Sequence, residues 1–134
     1  MKFYLISLGC PKNLTDSEDF CARLLAVGHQ MVFDINEADT IFINTCGFLA
    51  SSIKEAEQNI KMALKLKNKG AIKKVFITGC MVERLGEKIK EKFPEIDLIF
   101  SVKAQENVEK ILRKSGCYLP KIPKVLKVQN IKKN

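Results

Sequence analysis

Short apolar runs, too brief for helices, recur along this chain and alternate with longer stretches of helical period. That alternation constrains the fold more than any other feature. Residues 3–8 (FYLISL), 31–33 (MVF), 40–44 (TIFIN), 74–78 (KVFIT) and 96–100 (IDLIF) are rich in β-branched and aromatic residues and are bounded by glycine, proline or polar breaks. Residues 14–27 carry Leu14, Phe20, Leu24 and Val27 at helical spacing, with Thr15 or Asp16 able to cap and Glu18 in the first turn. Residues 50–69 carry Ile53, Ala56, Ile60, Ala63 and Leu64 on one side, with Ser51 or Ser52 near the start and Gly70 after the end. Residues 81–93, stopped by Pro94, and 105–114, ending at Ser115-Gly116, complete the helical set. Strands alternating with helices predict an α/β fold. The expected form is a three-layer open parallel sheet of about five strands in the order 2-1-3-4-5, with right-handed crossovers and helices on both faces. TIFIN is nearly all apolar, as a strand covered on both faces should be.

The 134 residues, 46% hydrophobic, suffice for one domain with a core that needs no disulfide staples. That domain is expected to span 1–116. Residues 117–134, with Pro120, Pro123 and KIPKVLKVQNIKKN, read as a linker or tail. No apolar run approaches the roughly 20 residues needed to cross a bilayer. Met1-Lys2 leads directly into the first strand without a charged-then-apolar signal segment, and the five cysteines are odd in number and widely spaced. A reducing, cytoplasmic setting is expected, with thiols available to a metal. The net charge of +8 comes with lysines such as Lys61, Lys65, Lys67, Lys69, Lys73 and Lys74. Few aromatics interleave and no arginines cluster, so a solvated surface and a footprint for RNA or a ribosome both stay open. The glycine-rich signatures of dinucleotide and P-loop sites are absent.

Cysteine stands where those folds carry phosphate loops. Cys10, Cys46 and Cys80 each close an apolar run, 36 and 34 positions apart, with Gly9, Gly47 and Gly79 beside them. In the order 2-1-3-4-5, strands 1, 3 and 4 are neighbours, so the three thiols would fall within about two strand spacings of roughly 5 Å at the carboxyl edge. Strand 2, ending at Val32-Phe33-Asp34, has no such cysteine. Each of the three precedes a helix, whose N-terminal amides favour thiolate over thiol. Three thiolates without a nearby histidine suggest an iron–sulfur cluster, and a [4Fe-4S] cubane held by three leaves one iron open. Two other readings compete. Buried cysteine packs as a small hydrophobe. Zinc would want a C-x2-4-C pair, which the sequence lacks, and a structural zinc site wants a fourth ligand. Cys21 lies near the apolar face of the first helix and reads as packing, His29 reads as a surface residue, and Cys117 would substitute as a ligand only if the tail folds back. Asn13 and Asn44 flank two of the site cysteines and either donate to cluster sulfur or cap turns, turn chemistry being favoured for Asn13.

SLGCPKNLTDSE (7–18), NTCGF (44–48) and TGCMVERLGEKIKEKFPEIDLIFSV (78–102) resemble the N-terminal domain of radical-SAM methylthiotransferases, and the likeness covers about residues 3–112. LGCPKN with the downstream DSE is most similar to the RimO type, the ribosomal-protein methylthiotransferases; tRNA-modifying members more often show glutamine and methionine after the first cysteine. The resemblance implies that Cys10, Cys46 and Cys80 bind an auxiliary [4Fe-4S] cluster. It implies that the whole enzyme inserts a methylthio group at an unactivated C–H bond, using a second [4Fe-4S] cluster and S-adenosylmethionine. For the RimO type the implied substrate is an aspartate β-carbon of a small-subunit ribosomal protein. The family's C-x3-C-x2-C triplet, which binds the second cluster, is absent from these residues, as is the RNA-binding-like C-terminal domain. The expectation is therefore a domain or truncated form that holds the sulfur-handling cluster but cannot start a radical reaction alone, its open iron binding the sulfur or methylthio species. The alternatives are a tRNA methylthiotransferase domain and a non-catalytic α/β module that docks through its basic surface.

Overall fold

The apolar runs pair into one all-parallel sheet. The computed structural model describes residues 1–8, 11–45, 50–112 and 116–118, with side chains throughout except at 11–16, 50–52 and 116–118. Strands β1 (Lys2–Ser7), β2 (Gln30–Met31), β3 (Thr40–Thr45), β4 (Lys74–Gly79), β5 (Leu98–Phe100) and β6 (Gly116–Tyr118) lie in the order β2-β1-β3-β4-β5-β6. Parallel pairing demands crossovers, and helices α1 (Pro11–Ala26), α2 (Ala50–Asn68), α3 (Cys80–Lys92) and α4 (Val108–Ile111) fall within them. The first five strands take the expected order, and β6 is an addition. It pairs with β5, Leu98 opposite Gly116, so Cys117 and Tyr118 join the sheet edge although the sequence alone assigns them to a tail. Three residues with one aromatic carry too little pattern to be read as a strand.

Successive side chains on a strand point to opposite faces, and here the two faces are chemically distinct. Ile41, Ile43, Val75 and Ile77 pack with Ala56, Ile60, Ala63 and Leu64 of α2 and with Met81, Val82 and Ile89 of α3. On the other side Phe3, Phe42, Phe76 and Phe100 pack with Phe20, Cys21 and Leu24 of α1 and with Val108 and Ile111 of α4. Phe42 is the hub. Its ring centroid lies 5.0 Å from that of Phe76, 5.6 Å from Phe3, 5.8 Å from Phe20 and 6.4 Å from Phe100. All six residues of β3 are buried, as a strand covered on both faces requires.

The sequence misjudges several boundaries for identifiable reasons. Helix α1 opens at Pro11, whose fixed φ suits a first helical turn, so Glu18 lies inside the helix rather than in its first turn. It closes at Ala26, leaving Val27 53% exposed instead of packed, and Gly28 (φ +97°) turns the chain. Strand β2 is Gln30–Met31 rather than 31–33; Phe33 is 86% exposed, and Asp34 accepts from the Asn36 amide to start a 3-10 turn over Ile35–Glu37. Strand β5 starts at Leu98, not residue 96. The Asp97 amide donates to the Val75 carbonyl at 3.0 Å, while its carboxylate takes the Val75 amide at 2.8 Å and Lys67 Nζ at 2.9 Å, so a side-chain bond stands beside the backbone one ahead of the strand. The helix expected over 105–114 is a 3-10 turn, Lys103–Asn107, followed by α4, and residues 113–115 lie outside the described set. There the Ser101 hydroxyl accepts from the Ala104 amide and tightens the turn. The capping expected of Thr15 or Asp16 and of Ser51 or Ser52 lies outside the described side chains.

The Phe42 hub gives a direct stability test. Phe42→Ala is expected to cost about 3–5 kcal/mol in urea unfolding, because the cavity opens where four rings meet it; Phe33→Ala, at an exposed ring, is expected to stay within about 0.5 kcal/mol of wild type.

Candidate metal centre

The carboxyl ends of β1, β3 and β4 lie side by side. Ser7 is in register with Asn44 and Asn44 with Thr78, and one step further Thr45 is in register with Gly79. The first three continue the Phe42 face of the sheet by one rung, so the aromatic core is closed at this edge by a polar row. Ser17 meets that row from α1. It occupies the helical position that precedes Phe20, Cys21 and Leu24 on the same stripe, and it is 1% exposed.

Hydrogen bonds join these groups. Asn44 Nδ2 donates to Ser17 Oγ at 2.7 Å, and Ser17 Oγ lies 3.1 Å from Ser7 Oγ, where either hydroxyl can donate. The Leu8 amide donates to the Asn44 carbonyl at 2.9 Å. Thr45 Oγ1 donates to the Thr78 carbonyl at 2.7 Å, tying β3 to β4. Gln105 Nε2 donates to Thr78 Oγ1 at 3.0 Å, extending the network past β5. Asn44, Thr45, Thr78 and Ser101 are fully buried, so these groups belong to the interior, whereas Ser7 at the end of β1 is exposed. Sequence reasoning missed Ser7, Ser17, Thr78, Ser101 and Gln105. A polar residue on an otherwise apolar helix stripe or strand face was the available signal, at Ser17 and at Thr78. The Asn44 side chain points into the protein toward α1, where Nδ2 meets Ser17.

Of the predicted trio, Cys80 is half-buried and is the first residue of α3, directly after β4, in a short helical segment that ends at the kink of Leu85 (φ −131°, ψ 16°). Cys10 and Cys46 lie outside the described residues. Among the described residues, no three His, Cys, Asp or Glu side chains gather as a metal site. The row of Ser7, Ser17, Asn44 and Thr78 holds neutral hydroxyls and an amide, which suits an anionic thiolate-ligated cluster, and the Glu83 carboxylate at this edge accepts from the Val102 amide at 3.2 Å beyond β5. Gly79 is obligatory beside Cys80. Its φ of +107° favours glycine, and a Cβ there would stand 2.3 Å from the Thr45 carbonyl oxygen, 2.5 Å from the Thr45 nitrogen and 2.6 Å from Asn44 Oδ1.

The other candidates separate from this edge. Cys21 is 6% exposed within the phenylalanine core, as expected for packing, and burial pushes its thiol from 9.0 up to about 11. The Cys117 backbone sits opposite Ile99 at the sheet edge, its side chain lying outside the description. His29 precedes β2 at the amino ends of the strands, the far side from Cys80. It is half-buried rather than fully exposed, with Nδ1 3.0 Å from the Met1 amine; burial and that ammonium lower its pKa, and Asp39 opposes them. The side chain of Asn13 lies outside the description.

Two expectations follow from these placements. Gly79→Ala should destabilise the protein by about 3 kcal/mol or more in chemical unfolding, whereas Gly28→Ala, with open space around it, should cost about 1 kcal/mol. Cys21 should resist alkylation in the native protein. Because its folded pKa lies above the unfolded one, the stability it adds is intact below pH 9.0 and falls as pH rises toward about 11, and Cys21→Ala should remove that part of the alkaline decline.

Comparison with known proteins gives this edge a context. The model of Uncharacterized protein family UPF0004 matches residues 2–101. The chain is 37% identical over 131 residues to "Ribosomal protein uS12 methylthiotransferase RimO" of Elusimicrobium minutum (strain Pei191), covering 98% of this chain and 30% of that protein. It is 43% identical over 114 residues to the protein of the same name from Bdellovibrio bacteriovorus, covering 85% of this chain and 25% of the relative. For that of Clostridioides difficile (strain 630) the identity is 40% over 113 residues, with 84% and 26% covered. The chain thus spans under a third of the length of these curated relatives. With a family match running from β1 through β5, the chain belongs to Uncharacterized protein family UPF0004, the N-terminal domain family of the methylthiotransferases.

Proposed function

We propose that this chain is the cluster-carrying domain of a ribosomal-protein methylthiotransferase, with Cys10, Cys46 and Cys80 as the thiolate ligands of one [4Fe-4S] cluster. The register of the strand ends is the observation that carries this reading. Cys46 follows Thr45, Cys80 follows Gly79, and Thr45 and Gly79 are partners on adjacent strands. With about 3.8 Å between consecutive Cα atoms and about 5 Å between strands, chain reach alone keeps the Cα atoms of Cys46 and Cys80 within roughly 13 Å. Cys10 is two positions past Leu8, whose amide holds the Asn44 carbonyl, and one before Pro11, where α1 begins. All three are therefore within tether of one cofactor. Three soft sulfur donors suit iron–sulfur chemistry better than a hard cation.

When bound, the cluster would supply an iron without a protein thiolate, able to hold the sulfur or methylthio species to be transferred. The chain's own part is to present the thiolates at one edge. Gly79 lets β4 run tightly against β3 before Cys80, and α3 offers its N-terminal amides there. In the whole enzyme we infer a second [4Fe-4S] cluster and S-adenosylmethionine in another domain, which generate the substrate radical. The names of the relatives, which give ribosomal protein uS12 as the target, favour a ribosomal protein over tRNA, and the resemblance to the RimO type implies an aspartate side chain as the site. The cytoplasm is the proposed setting, with a reducing poise that keeps the cysteines as thiols. Among the described residues no helix is long and apolar enough to cross a membrane.

A polyanionic partner fits the charge pattern. From Gln58 to Val82 the chain has six lysines and no acidic residue, and Lys61, Lys65, Lys69, Lys73 and Lys74 are exposed, while Lys67 pairs with Asp97. The lysines themselves, Lys61 to Lys74, run from within α2 to the amino end of β4, the end opposite Cys80, so ribosomal RNA held at Lys73 and Lys74 would leave the cluster uncovered.

Anaerobic reconstitution with iron and sulfide tests the reading. The wild-type chain should hold four irons, four sulfides and a reducible EPR signal, and the triple alanine variant at Cys10, Cys46 and Cys80 should lose them. A triple variant that still held four irons per chain would refute the assignment.

A further inference from the structure

We propose that Asn44 is a positioning residue that fixes, relative to one another, the described segments flanking the three cysteines, namely the ends of β1, β3 and β4 and the Ser17 turn of α1; the proposal rests on the cluster reading above. Two residues before Cys46, this fully buried side chain occupies a strand whose neighbours Ile41, Phe42 and Ile43 are apolar. Its amide meets the segments around each of the other two cysteines. Nδ2 donates at 2.7 Å to Ser17 on α1, the helix that follows Cys10. Ser17 in turn bonds Ser7 at 3.1 Å, on the strand that leads to Cys10. The Asn44 carbonyl accepts from the Leu8 amide at 2.9 Å, on that same approach. Oδ1 stands 2.6 Å from where a Cβ on Gly79 would be, against the residue before Cys80.

The Asn44 side chain therefore bonds the helix that follows Cys10, reaches through Ser17 to the strand that precedes it, and abuts the residue before Cys80, while the Leu8 bond is made by the Asn44 main-chain carbonyl. An apolar residue of similar size would fill this space without direction. A buried amide specifies geometry, because leaving its donor unmet costs more than the bond itself contributes. Asn44 need not touch the cluster to act. It sets where the strand ends and α1 meet, and so the spacing of the thiolates that follow.

Two measurements on the full chain test this: arsenite binding to the apo protein, since trivalent arsenic takes three convergent thiolates, and the rate at which a chelator strips iron from the reconstituted protein. Cys80→Ala marks the arsenite binding that belongs to the trio. Asn44→Ala and Ser17→Ala, each folded by circular dichroism, should weaken arsenite binding about tenfold and speed iron loss about tenfold. The double variant should be no worse than either single one. Asn44→Asp, which can take the Ser17 hydroxyl hydrogen instead, should restore most of the binding, and the EPR line shape of the reduced cluster should shift in the alanine variants and return with it. If wild type binds arsenite and iron but both alanine variants bind as tightly, the positioning role is wrong and the cluster reading stands. A wild-type chain that binds neither would overturn both. Should Asn44→Ala fail to fold, Ser17→Ala, which removes the same bond from the helix side, carries the comparison.

Discussion

The register of β3 against β1 and β4 is the constraint on which the rest depends. Side chains alternate across a strand, so a slip of one residue would turn every β3 side chain to the opposite face. Phe42 would leave its four ring partners, and Asn44 would leave Ser17. The apolar and polar interactions thus select the same pairing from opposite ends of the strand. That agreement brings the carboxyl ends of three strands level, Ser7 beside Asn44 beside Thr78, with Thr45 beside Gly79.

Energetically the two halves of the strand differ in kind. The phenylalanine cluster supplies non-directional burial, which tolerates exchange of similar volumes. The polar row adds little net stability but penalises any arrangement that strands its donors. Gly79 adds a steric condition, since its positive φ and its closeness to the Thr45 backbone leave no room for a side chain. A rigid hydrophobic layer below and a directional polar layer above suit an edge that must hold ligands at fixed spacing.

Much of this was legible in the sequence. The alternation of runs such as TIFIN and KVFIT with helical stretches foretold a parallel sheet, and the placement of Cys10, Cys46 and Cys80 after strands 1, 3 and 4 singled out its carboxyl edge. Elements decided by side-chain competition were harder to read. The Asp97 carboxylate takes the Val75 amide just before β5, and Ser101 tightens the turn where a longer helix is expected. Strand β6 was missed because three residues carry no pattern. The polar row escaped notice because Ser7, Ser17, Thr78 and Gln105 are ordinary surface residue types, and only tertiary packing buries most of them together.

Lys74 and Cys80 lie at opposite ends of β4, so the proposed partner surface and the proposed cluster would not compete for space. The most direct measurement of the central claim is a crystal structure of the anaerobically reconstituted chain with iron located by anomalous scattering. The account predicts one cluster at the carboxyl edge of the sheet, bonded by the Sγ atoms of Cys10, Cys46 and Cys80. Sulfur atoms directed into separate parts of the interior, with iron elsewhere or bound by other residues, would contradict it.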